Sequence, residues 1–338
     1  MTTPSGQISA QDIKNEFGET GEGKVALGSY RVSQTKGQLT LAIGDGVPTS
    51  GAISYDNMRN KKLNIVVDYY SGGTITRQDQ GDNTMNARNR YENENNKVSV
   101  IGGLKSKPSN TSGHRVRIHV NKELGGKKGN QNICALRTGS WNGSTSLIVD
   151  VGSNGKIYGG GGDGGEGGNE LNNGQAGEDG ASALGIDHNG TTINVSSGGL
   201  IRCGFGGGGG GGSGRQQDKG EDRRAGGGGG GGGQGIPGGS GGEGGSAGGG
   251  GGGGDGSGGD GSEAGEGGGR GSRAGQAYGA DGGEGGSQGQ AADSGGNSQY
   301  SGGSGGAEGS AIRKASGVSF SLNNSGTVTG NTNQTGVS

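Results

Sequence analysis

Apolar residues make up only 24% of the 338-residue chain and aromatics only 4%. Over residues 159–338 the aromatics are Phe205, Tyr278, Tyr300 and Phe320. Proline occurs four times, histidine three times and cysteine twice. Each scarcity excludes something. So few prolines rule out a collagen triple helix, which needs strict Gly-X-Y with abundant proline. No apolar run approaches the ~18 residues of a membrane-spanning helix, so no membrane insertion is expected. Met1 to Pro4 lack a basic stretch followed by an apolar one, so no signal peptide is expected either. Cys134 and Cys203 offer neither a disulfide framework nor a metal-ligand spacing, and each reads as a buried, reduced thiol. Residues 1–150 hold 19 basic and 13 acidic side chains, and residues 151–338 hold 10 and 18. Neither half shows the clustered basic face of a nucleic-acid binder.

What the chain has is glycine, 96 residues of it, with 20 in residues 1–150 and 76 in residues 151–338. A conventional core is therefore feasible only in the first half. The second half holds too little apolar side chain to offset chain entropy in the usual way.

The first sixty residues contain a repeat. Gly6-Gln7-Ile8-Ser9-Ala10-Gln11-Asp12-Ile13 matches Gly51-Ala52-Ile53-Ser54-Tyr55-Asp56-Asn57-Met58. In both, Ser follows an apolar residue and can cap a helix. Ser9 with Asp12 reads as a capping box, Ile8 with Ile13 as a hydrophobic staple, and Gly18 as the stop. Val25–Val32 and Gln38–Ile43 read as short strands. Residues 1–60 resemble the N-terminal module of many bacteriophage virion proteins, on Pro4, Ser5, Gly6, Ile8, Ser9, Asp12, Ile13 and Phe17, then Gly51, Ala52, Ile53, Ser54 and Tyr55. The resemblance implies that residues 1–61 attach the chain to other virion tail proteins.

Residues 62–150 read as all-β. Leu63–Tyr70, Lys97–Ile101, Arg115–Val120, Ile133–Arg137 and Ser146–Val151 are short apolar or alternating runs between polar turns. A β-sandwich or meander is expected. A second repeat follows. Leu147-Ile148-Val149 leads to Gly155-Lys156-Ile157-Tyr158, Ile193-Asn194-Val195 to Gly199-Leu200-Ile201-Arg202, and Phe320-Ser321-Leu322 to Gly326-Thr327-Val328-Thr329. Each copy reads as strand, glycine turn, strand, a β-hairpin step. Two copies open a glycine tract and one closes the chain, a bracketing foreign to a disordered linker.

Inside residues 159–310 glycine comes in runs (206–212, 226–233, 248–254) and in Gly-Gly-X triplets. Period three is that of a polyproline-II-type helix. Gly-Gly-X leaves two helix edges bare, so neighbours can approach closely enough to bond backbone to backbone. The X residues Asp163, Glu166, Glu243, Asp260, Glu284 and Ser287 then mark the solvent face, and the all-glycine runs the interior. Chemical variety is left to the interruptions: 213–225, Ile236-Pro237, 270–278 and 288–300. Alternating glycine tracts and loops over some 150 residues look like the receptor-binding adhesins at the fibre tips of T-even-like phages. That resemblance implies binding to a host outer-surface protein or polysaccharide.

Other chemistries are poorly represented. Gly18-Glu19-Thr20-Gly21-Glu22-Gly23-Lys24-Val25 has Val where a P-loop needs Ser or Thr, and a helix precedes it where a strand should. Gly258–Glu263 approaches a calcium nonapeptide but has Glu263 for Asp and no tandem copies. His114 and His119 fall on opposite faces of a strand, and His188 in a turn. Carboxylates abound, yet the aromatic platform of a glycosidase and any Ser/His/Asp set are missing. An ice-binding face of Thr ranks is missing too, with no Thr between Thr192 and Thr327.

The expectation is therefore a mostly β or irregular fold in three parts. These are a small module with short helices (1–61), a β-sandwich-like domain (62–150), and a polyglycine-II helix bundle with flanking β-hairpin steps (151–338). No catalytic residue, cofactor or metal is assigned. The function expected is a tail-fibre or tail-tip adhesin residing in the virion, with a non-adhesive head or tail decoration or fibre segment as the alternative. Both a monomer and a homotrimer fit. Receptor contact is assigned to Arg215, Gln217, Lys219, Arg223, Arg224, Arg270, Arg273, Tyr278 and Tyr300, because Arg and Tyr give bidentate and stacking contacts to sugars or acidic groups.

Overall fold

The computed structural model describes residues 3–17, 27, 39–43, 48, 50–61, 63–69, 73–93, 98–100, 103–105, 110–218, 221–247, 252–259, 263–266, 272–273 and 277–337. Among the described residues the regular elements are mostly strands, with few helices. The expected strand Val25–Val32, apart from residue 27, and the stop at Gly18 lie outside them.

Helix α1 (Ala10–Phe17) starts where the sequence caps it. The Ser9 backbone N–H and hydroxyl donate to the Asp12 carboxylate at 2.8 and 2.6 Å. Those bonds, the hydroxyl's first, hold Asp12 below the usual carboxylate range. In the second copy the Ser54 N–H and hydroxyl donate to Asn57 Oδ1 at 2.8 and 3.0 Å, opening a 3-10 turn at Tyr55–Met58. The copies are stitched together where Thr3 N–H donates to the Lys61 carbonyl and Asn60 N–H to that of Pro4. Ile13 and Met58 sink into the main core.

The middle of the chain winds into a coil that visits three sheets in turn. After β1 (Leu39–Ile43), the first turn holds β2 (Leu63–Tyr69), β3 (Ile75–Thr76), α2 (Arg77–Met85) and α3 (Ala87–Asn93). A small hairpin, β4 (Val98–Val100) and β5 (Gly103–Lys105), intervenes. The second turn is β6 (Arg115–Val120), β7 (Glu123–Gly125) and β8 (Cys134–Arg137), and the third is β9 (Ser146–Val151), β10 (Lys156–Tyr158) and β11 (Ser182–Ile186). The fourth is β12 (Thr191–Val195) and β13 (Leu200–Arg202), then a long excursion carrying β14 (Gly214–Asp218), β15 (Glu221–Ala225), β16 (Ser272–Arg273) and β17 (Ala277–Tyr278), then β18 (Ile312–Lys314). The fifth is β19 (Phe320–Asn324), β20 (Thr327–Thr329) and β21 (Gln334–Thr335). The sheets run β1-β2-β6-β9-β12-β19, β20-β13-β10-β7-β3 and β21-β18-β11-β8. Every pairing in them is parallel except β1 with β2.

Parallel stacking puts equivalent side chains above one another. Ile118, Val149 and Ile193 are in register, as are Ile75, Leu124, Ile157, Ile201 and Val328. These columns fill the coil's interior, and alternate residues of β6 and β9 are buried, as their alternation requires.

Three expectations need correction. Among the described residues there is no β-sandwich: apart from the β4–β5 hairpin, the strands of 62–150 belong to the three stacked sheets that continue beyond residue 150, and the expected division at residue 150 falls inside β9. Nor are the repeats β-hairpin steps. The strand before each glycine turn and the strand after it lie in different sheets, and each pairs with its equivalent in the next copy. Gly155 bends the chain around a corner, where a Cβ would strike the Val120 carbonyl of the turn below. Residues 62–150 are also not all β. Helices α2, broken at Gly81 (φ 69°), and α3 pack Met85, Ala87 and Tyr91 into the core, with the Tyr91 ring centroid 5.4 Å from that of Trp141.

Two glycine-rich excursions leave the same corner of the coil, between the second and third sheets. They span residues 159–181, between β10 and β11, and residues 203–311, between β13 and β18. Their roots prolong the ladders: Gly159 N–H donates to the Arg202 carbonyl and Gly204 N–H to that of Ala181, at 2.9 and 2.8 Å. Beyond the root each run bonds sideways, to a different neighbour at each residue and to the same one every third. In 205–212, Gly207 and Gly210 donate to Glu178 and Gln175, Gly208 and Gly211 to Gly231 and Gly228, and Gly209 and Gly212 to Asp293 and Gly296. The same run accepts from 162–168, 280–286 and 303–306, so six segments surround it. Run 226–234 likewise bonds with 162–168, 205–211, 239–245, 254–257, 280–286 and Gly265.

Runs 206–212 and 226–233 are wholly buried, and residues 252–254 lie at the surface. The described part of the third run thus departs from the expected interior place: Gly253 N–H donates to the Gly245 carbonyl and the Gly254 carbonyl accepts from Gly229 N–H. Glu166, Glu243 and Glu284 are exposed, Asp163 and Ser287 half-buried, and Asp260 is outside the described residues. Asp163 accepts from Lys128 Nζ at 2.7 Å, a tie between bundle and coil.

Two measurements check this packing. A Cβ on Gly208 would fall inside contact with the Gly283 carbonyl. Gly208→Ala should therefore cost about 1–3 kcal/mol or more in a urea melt, against about 0.5 kcal/mol or less for exposed Glu243→Ala. Cys134 and Cys203 are buried and free, and burial pushes both thiols up to about 12. Between the ordinary value of 9.0 and about 12 the unfolded chain binds fewer protons than the folded one. Stability should fall as pH rises through that window, and less steeply in the Cys134→Ala, Cys203→Ala double variant.

Candidate functional site

The bundle has two ends, and its turns differ between them. On the coil side, the Ile236 carbonyl accepts from Gly126 N–H at 2.6 Å, and the turn Ser287–Gln290 closes on itself with two bonds of 2.9 Å. The Ile236-Pro237 loop and the first part of 288–300 thus lie at the coil end of the bundle. At the far end lie residues 169–173, 213–218, 221–225, 272–273, 277–278 and 297–301.

Hairpin β14–β15 crowns that end. Arg215 is in register with Arg224, Gln216 with Arg223 and Gln217 with Asp222. Two arginines opposite each other repel. Arg224 has a counter-charge in Glu170, its guanidinium donating to Glu170 Oε2 at 2.7 Å. Both partners are partly exposed, so the pair is worth about 1 kcal/mol or less.

A relay of hydrogen bonds joins the turns. Ser213 Oγ donates to the Asn172 carbonyl at 2.8 Å, Tyr300 N–H to the Ser213 carbonyl at 3.1 Å, Ser298 N–H to the Tyr300 carbonyl at 3.0 Å, and Ser298 Oγ to the Tyr278 carbonyl at 2.6 Å. Ser272 and Tyr278 pair in β16–β17. Tyr278 is 49% exposed, one of two large hydrophobic side chains so displayed among the described residues; the other is Tyr55.

Of the nine residues singled out by sequence, Arg215, Gln217, Arg223, Arg224, Tyr278 and Tyr300 come together here. Arg273 is placed at this end by its backbone in β16, and Lys219 and Arg270 lie outside the described residues. Sequence reasoning missed the turn Asn169–Asn173, which supplies Glu170 and the Asn172 carbonyl. Its signal was available, as the place where the glycine period stops. Among the described residues no three His, Cys, Asp or Glu side chains group as metal ligands, and no helix is long and apolar enough to cross a membrane.

No family model matches the chain, and no curated protein does. Among solved structures, the gp37-gp38 adhesin tip complex of the bacteriophage S16 long tail fibre is similar over 85% of this chain and 90% of that one. Identity is 17% and the TM-score 0.34, too loose a superposition to transfer fold or function.

The tip separates groups that hold the turns from groups that only line them. Ser213→Ala removes a buried hydrogen bond and should cost about 1 kcal/mol. Tyr278→Ala, at the exposed rim, should change stability by about 0.5 kcal/mol or less. Paired urea melts of the two variants measure the difference.

Proposed function

We propose that the chain is a bacteriophage tail-fibre or tail-tip adhesin, residing in the virion, whose polyglycine-II bundle presents receptor-contacting side chains at its far end. The observation that carries this reading is the gathering of Arg215, Gln217, Arg223, Arg224, Tyr278 and Tyr300 at the bundle end remote from the coil. Lys219, Arg270 and Arg273 join them by sequence.

The polyglycine-II assignment is supported by bonding partners that recur every third residue and by six neighbours around each interior run. A run of eight residues then spans ~25 Å at ~3.1 Å per residue, enough to carry the tip clear of the coil. Attachment to other tail proteins is assigned to residues 1–61, on their likeness to phage virion modules. Arginine forks and tyrosine rings suit sugars and acidic groups, so the partner is a host outer-surface polysaccharide or protein. The role is binding without turnover.

Three experiments test this. Particles carrying residues 213–225 and 270–278 from a relative with another host should change the cells they adsorb to; unchanged adsorption overturns the reading. Arg223→Ala with Tyr278→Ala should slow adsorption about 30-fold if the pair forms a binding hot spot of about 2 kcal/mol. In images of the particle the chain should sit distally in few copies, and a lattice of many copies would make it a decoration protein instead.

A further inference from the structure

The fifth turn of the coil differs from the other four. Strands β19, β20 and β21 pair with β12, β13 and β18, and among the described residues no strand lies beyond them. In the fourth turn the inward side chains Ile193, Val195 and Ile201 are buried. In the fifth, Leu322 and Val328, which stack on Ile193 and Ile201, are only half-buried, as is Phe320. The core is open at this end.

The outer face is open too. A polar ladder climbs the first sheet: Arg117 Nε donates to Asp150 at 2.9 Å, Asn194 Nδ2 to Asp150 at 2.8 Å, and Asn323 Nδ2 to Asn194 at 2.9 Å. Asn323 is its last member, with its own amide oxygen given no donor among the described residues. Exposed strand edges are ordinarily guarded by charge, proline, a bulge or a cover. From Ala315 to Ser338 there is no Lys, Arg, Asp, Glu or Pro, in a chain that is 18% charged.

We propose that this end is an interface between two copies of the chain, with β19 of one protomer pairing antiparallel with β19 of its partner across a two-fold axis. A two-fold contact brings the same patch against itself, so any charge near the axis meets its own copy. A charge-free edge is what such a contact requires. Head-to-tail stacking would instead set β19 against β1, the opposite end of this sheet, and such a contact does not require an edge free of charge. The glycine bundle departs from the corner between the other two sheets and leaves β19 clear. Pairing covers Phe320 and Leu322 and supplies donors and acceptors to the backbone of β19.

The test is sedimentation of the whole chain from about 1 to about 100 µM, where a self-associating species shifts with concentration. The wild type should move toward twice the chain mass. Ser321→Lys and Asn323→Lys, both exposed on the outer face of β19, should each weaken the dimer at least about tenfold, while Gln217→Lys at the tip leaves it unchanged. Hydrogen exchange of the wild type gives a readout that needs no variant: amides of 320–324 should be better protected at the higher concentration. A wild type monomeric throughout, including one that binds another tail protein at this edge, overturns the proposal. So does a dimer that withstands both lysine variants, or β19 exchange independent of concentration. Adsorption does not enter these outcomes, so failure here and failure of the adhesin reading are distinguishable.

Discussion

Backbone N–H and C=O groups must find partners wherever water is excluded, and this requirement governs the whole second half of the chain. With few apolar side chains to bury, residues 159–310 meet it by bonding each run to its neighbours, not to itself or to one adjacent strand. Run 205–212 shows the consequence. Three neighbours accept from it and three donate to it, which from Gly206 onward is possible only if no side chain projects toward any of them. Glycine is the one residue that allows this, and its entropic penalty on ordering must be met by the number of bonds formed. The buried runs have the most neighbours, while 252–259 has fewer and lies at the surface.

Such an assembly is costly to start, and the coil gives it a start. Gly159 and Gly204 continue ladders already set by β10 and β13, and the 302–309 run returns directly to β18. The glycine runs thus leave the coil in register, aligned by strands whose own alignment comes from columns of Ile, Leu and Val. Lys128, reaching Asp163 and Ser240 at 2.7 Å each, adds a side-chain tie near the root. Stability generated by an ordinary apolar core is in this way passed to a region that has none. At the far end a relay of serine and backbone hydrogen bonds joins the turns under a short hairpin.

Much of this was legible in the sequence, though unevenly. The Ser9 and Ser54 boxes, strands β6 and β9 and the sites of the glycine runs follow from local pattern, because capping, alternation and the absence of side chains are local properties. The second repeat was visible but misread. Strand, glycine and strand spell a hairpin and a coil corner alike, and only the pairing of Ile157 with Ile201 rather than with a residue of β9 separates them. Helices α2 and α3 were missed because Met85, Ala87 and Tyr91 are their few apolar anchors in a polar stretch. At the tip, Arg215, Arg223, Arg224 and Tyr278 stood out as variety between glycines, whereas their assembly with Glu170 depends on which runs lie side by side, and period three alone is silent on that.

Lateral backbone hydrogen bonds hold the interior glycine runs in a cooperative unit with the coil. Native-state hydrogen exchange of the glycine amides measures this directly. Amides of 206–212 and 226–233 should exchange only through global opening, with protection matching that of the coil strands β9 and β12. Exchange of those amides at unprotected rates, while β9 and β12 remain protected, would contradict it.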